Sequence, residues 1–95
     1  MELTVVDHPE RDRFEARTAD GHLAGSVEYT REDGVVVLLH TRVKANYQGM
    51  GVGSILARGT LDLLGDSGTT VINECPFIRR FLERHRDDYG WVRHG

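Results

Sequence analysis

The six residues Gln48-Gly49-Met50-Gly51-Val52-Gly53 decide the fold of this chain. They follow an apolar, β-branched run, Val35 to Val43, and lead into Val52 to Gly65, where apolar residues recur at helical spacing. The predicted order is strand, glycine-rich turn, helix. Because the first amides of a helix lack internal partners and the helix dipole is positive there, such a turn suits a phosphate group.

The spacing of these glycines excludes two common nucleotide motifs. The dinucleotide fingerprint needs glycine at its sixth position, and counting from Gly49 that position is Ser54. A P-loop ends in Gly-Lys followed by Ser or Thr, and the chain has no Gly-Lys pair. What remains is Gln-x-x-Gly-x-Gly, formed by Gln48, Gly51 and Gly53. Taken alone, these six residues favour an ordinary strand-to-helix turn, and only the rest of the chain reverses that interpretation.

Alternating segments before the loop predict an antiparallel meander. Strands are expected at residues 3–7, Phe14–Thr18 and His22–Thr30, with hairpin turns at Asp20-Gly21 and Asp33-Gly34. The run Val35–Val43 begins with apolar residues on both faces. We therefore expect this strand to be central in the sheet and covered on both sides.

The chain after the loop predicts a β-α-β-α order. The first helix is expected to bury Val52, Ile55, Leu56, Gly59, Leu63 and Leu64. A strand at Thr69–Glu74 should run parallel to Val35–Val43, because a helix connects the two. A second helix should begin at Pro76 and present Phe77, Ile78, Phe81, Leu82 and His85 on one face. The tail is expected to fold back on the sheet, with Trp91 closing the edge of the core.

Length and composition narrow the class of protein. Ninety-five residues predict one domain, 1–95. A net charge of −3 without a basic block argues against a nucleic-acid surface. No apolar run predicts a membrane span and no signal peptide is visible. A lone cysteine forms no internal disulfide, which favours a cytoplasmic location, and no metal-ligand cluster is expected. We expect a monomer or a weak dimer.

Several motifs together resemble a known family. His40-Thr41-Arg42-Val43, the glycine loop, Cys75-Pro76-Phe77-Ile78 and His85 look like the small single-domain branch of the GNAT superfamily of N-acetyltransferases. The similarity spans about Val35 to His85. It implies a minimal GNAT fold, α/β with a mixed sheet, and acetyl-CoA as co-substrate. Standard members begin with helices that wall the acceptor site, and this sequence predicts none.

The resemblance also implies a binding site for CoA. Loop amides would bind the pyrophosphate, and the pantetheine arm would lie along the preceding strand. The implied cofactor-binding residues are Leu39, Thr41, Arg42, Val43, Gln48, Gly49, Met50, Gly51, Val52, Gly53, Ser54 and Phe77. Arg42, Lys44 and Arg58 are near enough in sequence to add positive potential. Valine at Gly51 or Gly53 is expected to obstruct the diphosphate without disturbing the core.

Cys75 and His40 are the candidate catalytic residues. Cys75 directly precedes a predicted helix, whose N-terminal amides favour the nucleophilic thiolate. It is an acetyl-carrying nucleophile, a group close to the thioester, or a packed cysteine. His40 is a general base or a hydrogen-bonded structural residue.

The predicted function is acetyl-CoA-dependent transfer of an acetyl group to an unidentified amine, on a small molecule or a protein. The alternative is a non-catalytic acyl-CoA-binding module, which keeps the loop but lacks a productive acceptor pocket. An interaction domain with neither ligand nor activity is a third hypothesis. Direct transfer is favoured over an acetylated Cys75, because an amine held against a thioester needs no covalent relay.

Overall fold

The computed structural model describes residues 2–95 as a six-stranded mixed sheet with two helices. The strands are β1 (Leu3–His8), β2 (Arg13–Thr18), β3 (Leu23–Glu32), β4 (Val35–Val43), β5 (Thr70–Asn73) and β6 (Arg93–His94), in that order across the sheet. The helices are α1 (Val52–Asp66) and α2 (Pro76–Arg84), and short 3-10 turns lie at Pro9–Arg11 and Ala45–Tyr47. The first four strands are antiparallel, and β5 and β6 continue the sheet in parallel.

The predicted turns and the parallel crossover are confirmed. Asp33 and Gly34 have φ angles of 53° and 78° in the β3–β4 hairpin, the left-handed conformation that such a two-residue turn requires. Helix α1 connects β4 to β5, which pair in parallel from Val35 opposite Thr70 to Leu38 opposite Asn73. Strand β5 is one residue shorter at each end than the predicted Thr69–Glu74.

A bulge in β4 changes which residues share a face. Tyr29 pairs with Leu38 whereas Glu28 pairs with His40, so Leu39 is an extra residue on β4. Beyond the bulge, Thr41 pairs with Val27. Since directly opposed residues in an antiparallel pair lie on the same face, Leu38 and Thr41 share the face of Tyr29, and His40 lies on the other.

Helix α1 buries a different stripe from the one predicted. Its buried residues are Val52, Gly53, Leu56, Ala57, Thr60, Leu61 and Leu64. Ile55 and Leu63, predicted to face inward, are 38% and 41% exposed, and this part of the prediction is wrong. The buried stripe includes the small residues Gly53 and Ala57 because they allow the helix to approach its neighbours closely. Leu56 lies over Gly25 of β3 and Gly59 over Val5 of β1.

The expectation that β4 is covered on both sides is also wrong. Val36 and Leu38 are buried in the single core cluster that both helices share, but Val35 and Val37 on the other face are only half-buried. That second face of the sheet, called here the open face, carries charged side chains such as Arg13, Glu15 and Arg42 beside apolar ones such as Val6 and Val37. One solvated face is the ordinary state of an antiparallel meander, and the apolar run at the start of β4 misled the prediction.

Helix α2 and the tail complete the core. Ile78, Phe81 and Leu82 are buried as predicted, and Tyr89 and Val92 pack with them. Burial and hydrogen bonding to the Asp62 carboxylate raise the pKa of Tyr89 to about 12, and its hydroxyl donates to Asp62 Oδ1 at 2.7 Å.

Trp91 does not close the core edge as predicted. It is 42% exposed, and its indole lies beside Gly65 at the end of α1. Within residues 2–95, neither helix has the length and hydropathy needed to cross a membrane.

A buried carboxylate organises the open face. Glu15 is 1% exposed, and its oxygens accept hydrogen bonds from Arg13 Nε at 2.7 Å and from Arg17 Nη2 at 2.8 Å. Burial opposes ionisation of this carboxyl. The hydrogen bonds and charges of Arg17 and Arg13 outweigh that effect, so the pKa of Glu15 falls below its ordinary value of 4.5.

Replacement Glu15→Gln is expected to lower the free energy of unfolding by about 1–3 kcal/mol at pH 7, because two guanidinium groups lose their counter-charge. A lowered folded-state pKa stabilises the protein above pH 4.5, and this contribution disappears as the pH falls through the folded-state value. The difference between parent and variant should therefore shrink in acid. Urea unfolding at several pH values measures it, and a pH-independent difference would contradict the ionic role of Glu15.

Candidate functional site

The two central parallel strands separate at one point. Their ladder ends at Leu38 opposite Asn73, where the Glu74 amide donates to the Leu38 carbonyl at 2.8 Å. Strand β4 continues to Val43, and no strand within residues 2–95 pairs with that edge beyond Leu38. A V-shaped gap therefore opens between β4 and the start of α2, and its β4 side carries main-chain groups without a strand partner.

The glycine loop closes the wide end of this gap. Gly51 is the N-cap of α1 with φ 79°, a left-handed conformation that glycine adopts without strain, and no side chain caps the first turn. No acidic residue lies in that turn either. The loop and the helix start line a cavity of about 350 Å³. The residues that line this cavity are Val43, Tyr47, Gln48, Gly49, Gly51, Val52, Gly53, Ser54 and Phe77. Most of the residues predicted to bind the cofactor are thus brought together.

Gly53 serves a purpose that the sequence did not reveal. A methyl group there would lie 2.5 Å from Cζ of Phe77, so Gly53 accommodates the ring of Phe77. The expectation that valine at Gly53 would leave the core undisturbed is therefore wrong. At Gly51, by contrast, an added Cβ meets nothing within 4 Å, and the positive φ is the obstacle to substitution.

Cys75 lies at the narrow end of the gap. It is the N-cap residue of α2 and is 2% exposed, and its Sγ lies 3.3 Å from Oγ1 of Thr41 on β4. This contact joins the two predicted residues across the gap. The thiol is therefore enclosed between β4 and α2.

Three predicted residues lie farther out. His40 is exposed on the open face, opposite Glu28. The Arg42 Nε donates to Glu28 Oε2 at 3.0 Å on that same face. Met50, in the glycine loop, is 54% exposed. Within residues 2–95, the His40 side chain forms no hydrogen bond with Cys75.

Arg58, considered above as a source of positive potential, has other partners. Its guanidinium donates to the Tyr89 hydroxyl at 3.3 Å and lies 3.4 Å from Nδ1 of His85. It also lies over the rings of Phe81 and Tyr89. Arg58 therefore links α1 to His85 and Tyr89, which follow α2.

Asn73 is the site residue that sequence reasoning missed. Its side chain is fully buried, its Oδ1 accepts from the Cys75 amide and its Nδ2 donates to the Cys75 carbonyl, both at 3.1 Å. A signal was present, because asparagine often bonds the backbone two residues further along. The predicted strand at Thr69–Glu74 gives the Asn73 side chain no such role.

Solved structures share this fold. The NMR structure of a GCN5-like N-acetyltransferase candidate from Staphylococcus aureus aligns with a TM-score of 0.66 at 20% identity, covering 98% of this chain and 88% of that one. An acetyltransferase candidate from Deinococcus radiodurans R1 aligns with a TM-score of 0.54 at 33% identity, covering 76% of this chain and 51% of that one. The chain therefore has the fold of an acyltransferase, and it spans only about half of the second protein.

The sequence profile of the GCN5-related N-acetyl-transferase family matches residues 13–92. This chain belongs to the GCN5-related N-acetyltransferase (GNAT) family, and the resemblance found from its motifs is confirmed. No curated protein matches the chain. Within residues 2–95, no three His, Cys, Asp or Glu side chains are grouped as metal ligands would be.

Replacement Gly53→Ala is expected to lower the free energy of unfolding by about 1–3 kcal/mol, since the methyl group collides with Phe77. This loss should exceed the gain of about 1 kcal/mol that alanine brings to a helix. In a Phe77→Leu background the collision is relieved, so the same substitution should cost less. Chemical denaturation of the four proteins of this cycle measures the coupling, and additive effects would contradict the contact.

Proposed function

We propose that this protein transfers an acetyl group from acetyl-CoA to a primary amine. The observation that carries the proposal is the uncapped, acid-free start of α1, which opens onto a cavity beside an unpaired strand edge. Membership of the GNAT family supports the same reaction.

The start of α1 suits the diphosphate of CoA. Main-chain amides of the first turn have no side-chain partner, and the helix dipole adds partial positive charge. The glycines at the turn keep the surroundings of these amides clear, since a Cβ at Gly49 or Gly51 would meet no other atom within 4 Å. Recognition here depends on backbone rather than on charged side chains.

The unpaired edge of β4 suits the pantetheine arm. An extended amide chain can bond such an edge as an added strand would. On this proposal the arm starts at the loop and runs along β4 from Val43 to Leu39, towards Cys75. The thioester then lies at the narrow end of the gap. Phe77 lines the cavity on the opposite side.

The reaction needs a neutral amine. Its lone pair attacks the thioester carbonyl, the C–S bond breaks, CoA leaves as a thiol or thiolate, and the amine loses a proton. A main-chain amide on the free edge of β4 is suited to stabilise the oxyanion. Because His40 is exposed on the open face, it is placed to pass the proton to water if the acceptor approaches from that face.

The environment of Cys75 supports direct transfer. Its thiol is enclosed and in hydrogen-bond contact with Thr41, whereas a nucleophile that is acetylated and discharged in each turnover must be reached by both substrates. We assign Cys75 to the wall beside the thioester.

Replacement Ser54→Asp tests the anion site. Ser54 is exposed in the first turn of α1, so aspartate there should stabilise the helix by about 0.3–1 kcal/mol. The same charge should repel the diphosphate and weaken CoA binding about tenfold or more. Ser54→Asn is the matched uncharged control.

Isothermal titration with CoA, together with thermal unfolding, measures both effects. We expect Ser54→Asp to raise the stability and to lower the CoA affinity. Ser54→Asn should change neither quantity much. If Ser54→Asp binds CoA as tightly as the parent at low salt, the diphosphate does not lie at this helix start.

Replacement Cys75→Ala tests the route of transfer. With direct transfer, the variant should retain turnover within about tenfold of the parent in an assay of free thiol release with a panel of amines. Intact-mass measurement of the parent with acetyl-CoA alone should show no acetyl adduct. A stoichiometric adduct at Cys75 that forms and discharges at the turnover rate would contradict direct transfer.

The second candidate function is a non-catalytic acyl-CoA-binding module. The uncovered open face favours it, because the described chain forms no enclosing wall around an acceptor. CoA binding without thiol release for any amine in the panel would favour this candidate over the transferase.

A further inference from the structure

Asn73 lies at the point where the sheet stops being regular. It is the last residue of β5 to pair with β4, and α2 begins three residues later at Pro76. The Asn73 carbonyl accepts from the Gly95 amide at 3.0 Å, so its main chain is held on the β6 side as well. Its side chain points to the same face as Leu38, into the core.

The side chain of Asn73 bonds the main chain at the point where β5 ends. The Glu74 amide points to β4 and donates to Leu38, so the buried Cys75 amide points away from β4 and bonds the Asn73 side chain instead. Asn73 Oδ1 accepts from that amide, and Nδ2 donates to the Cys75 carbonyl, which also accepts the first helical bond from Arg79 at 2.9 Å. Without the carboxamide, a buried N–H would lose its partner.

These bonds also bear on the thiol. Cys75 is fixed at its amide and carbonyl by Asn73, and its Sγ meets Thr41 across the gap. The carboxamide, the Cys75 backbone and the Thr41 hydroxyl therefore form one continuous clasp, called here the Asn73 clasp, between the diverging strands. The width of the gap at its narrow end depends on this clasp.

We propose that Asn73 is a positioning residue for acyl transfer: its carboxamide fixes the backbone of Cys75 and thereby the narrow end of the gap where the thioester lies. The position of the thioester rests on the proposed function, but the effect on Cys75 does not. Asn73 acts through Cys75 and touches no substrate. The diphosphate site at the other end of the gap is independent of it.

The test uses Asn73→Leu, which removes both hydrogen-bonding groups at similar size, and Asn73→Asp, which keeps an acceptor for the Cys75 amide. Thr60→Val is the matched control, because Thr60 is equally buried and its Oγ1 has no hydrogen-bond partner within residues 2–95. Each protein is treated with iodoacetamide to measure the alkylation rate of its single cysteine. CoA affinity and the kcat and KM for acetyl-CoA are then measured with an amine that the parent acetylates.

Asn73→Leu should accelerate alkylation of Cys75 about tenfold, because the thiol is released from its enclosure. The kcat should fall about tenfold or more, since a small misplacement at the reacting centre is costly, while CoA affinity stays within about twofold. Thr60→Val should change none of these values appreciably. If Asn73→Leu leaves both alkylation and kcat within about twofold of the parent, the proposal is overturned.

Asn73→Asp provides a readout that a purely structural role would not give. A protonated carboxyl can donate to the Cys75 carbonyl as the amide does, whereas a carboxylate faces that carbonyl as a second acceptor. The ratio of variant to parent alkylation rates should therefore approach one in mild acid and rise with pH. Glu74 and His94, the neighbouring charged or ionisable side chains, are present in the parent and the variant alike.

Asn73→Asp also covers the case in which Asn73→Leu does not fold. A ratio that stays flat with pH would overturn the proposal. If the parent shows no turnover with any amine, the proposed function fails, yet the alkylation rates of both variants still decide whether Asn73 positions Cys75.

Discussion

The separation of β4 from β5 after Leu38 and Asn73 is the constraint on which the rest of the site depends. A regular parallel pair would consume the main-chain groups of β4 and leave no room for a ligand. The Glu74 amide makes the last ladder bond, to the Leu38 carbonyl, and the Asn73 side chain satisfies the main chain of Cys75 where the chain leaves the sheet. The bulge at Leu39 acts on the other strand, since it turns Thr41 towards Cys75 and His40 away from it.

The one-sided packing of the sheet determines how the site is approached. Both helices lie on the core face, so the start of α1 and the start of α2 come together, and Gly53 of α1 receives the ring of Phe77. The open face is left to ion pairs such as those of Glu15 with Arg13 and Arg17, which keep a charged sheet surface ordered without a covering layer. On the proposed reaction, an acceptor that approached from the open face would meet His40, Glu28 and Arg42.

The sequence predicted the parts of this structure that local signals determine. The two hairpins follow from Asp-Gly pairs, the parallel crossover follows from a strand-loop-helix order, and Pro76 marks the start of α2. The buried stripe of α1 was misassigned because apolar periodicity predicts that Ile55 and Leu63 face inward. It does not predict that Gly53 is buried, because Gly53 has no side chain and is needed there to leave room for the Phe77 ring. The bulge at Leu39 has no local signature, since it depends on the register with β3. No feature of the sequence predicts that the Arg58 guanidinium donates to the Tyr89 hydroxyl in the tail.

The two ends of the gap differ in how they depend on side chains. At the wide end the candidate anion site consists of amides at the start of α1, so many side chains there can change as long as the chain can turn at Gly51. At the narrow end, the geometry depends on three particular side chains, Asn73, Cys75 and Thr41, each bonded to the next. A short motif of glycines therefore predicts the end of the gap that is proposed to bind the ligand. The end that is proposed to react is recognisable only when the contacts between β4, β5 and α2 are known, because Thr41 and Cys75 are 34 positions apart in the sequence.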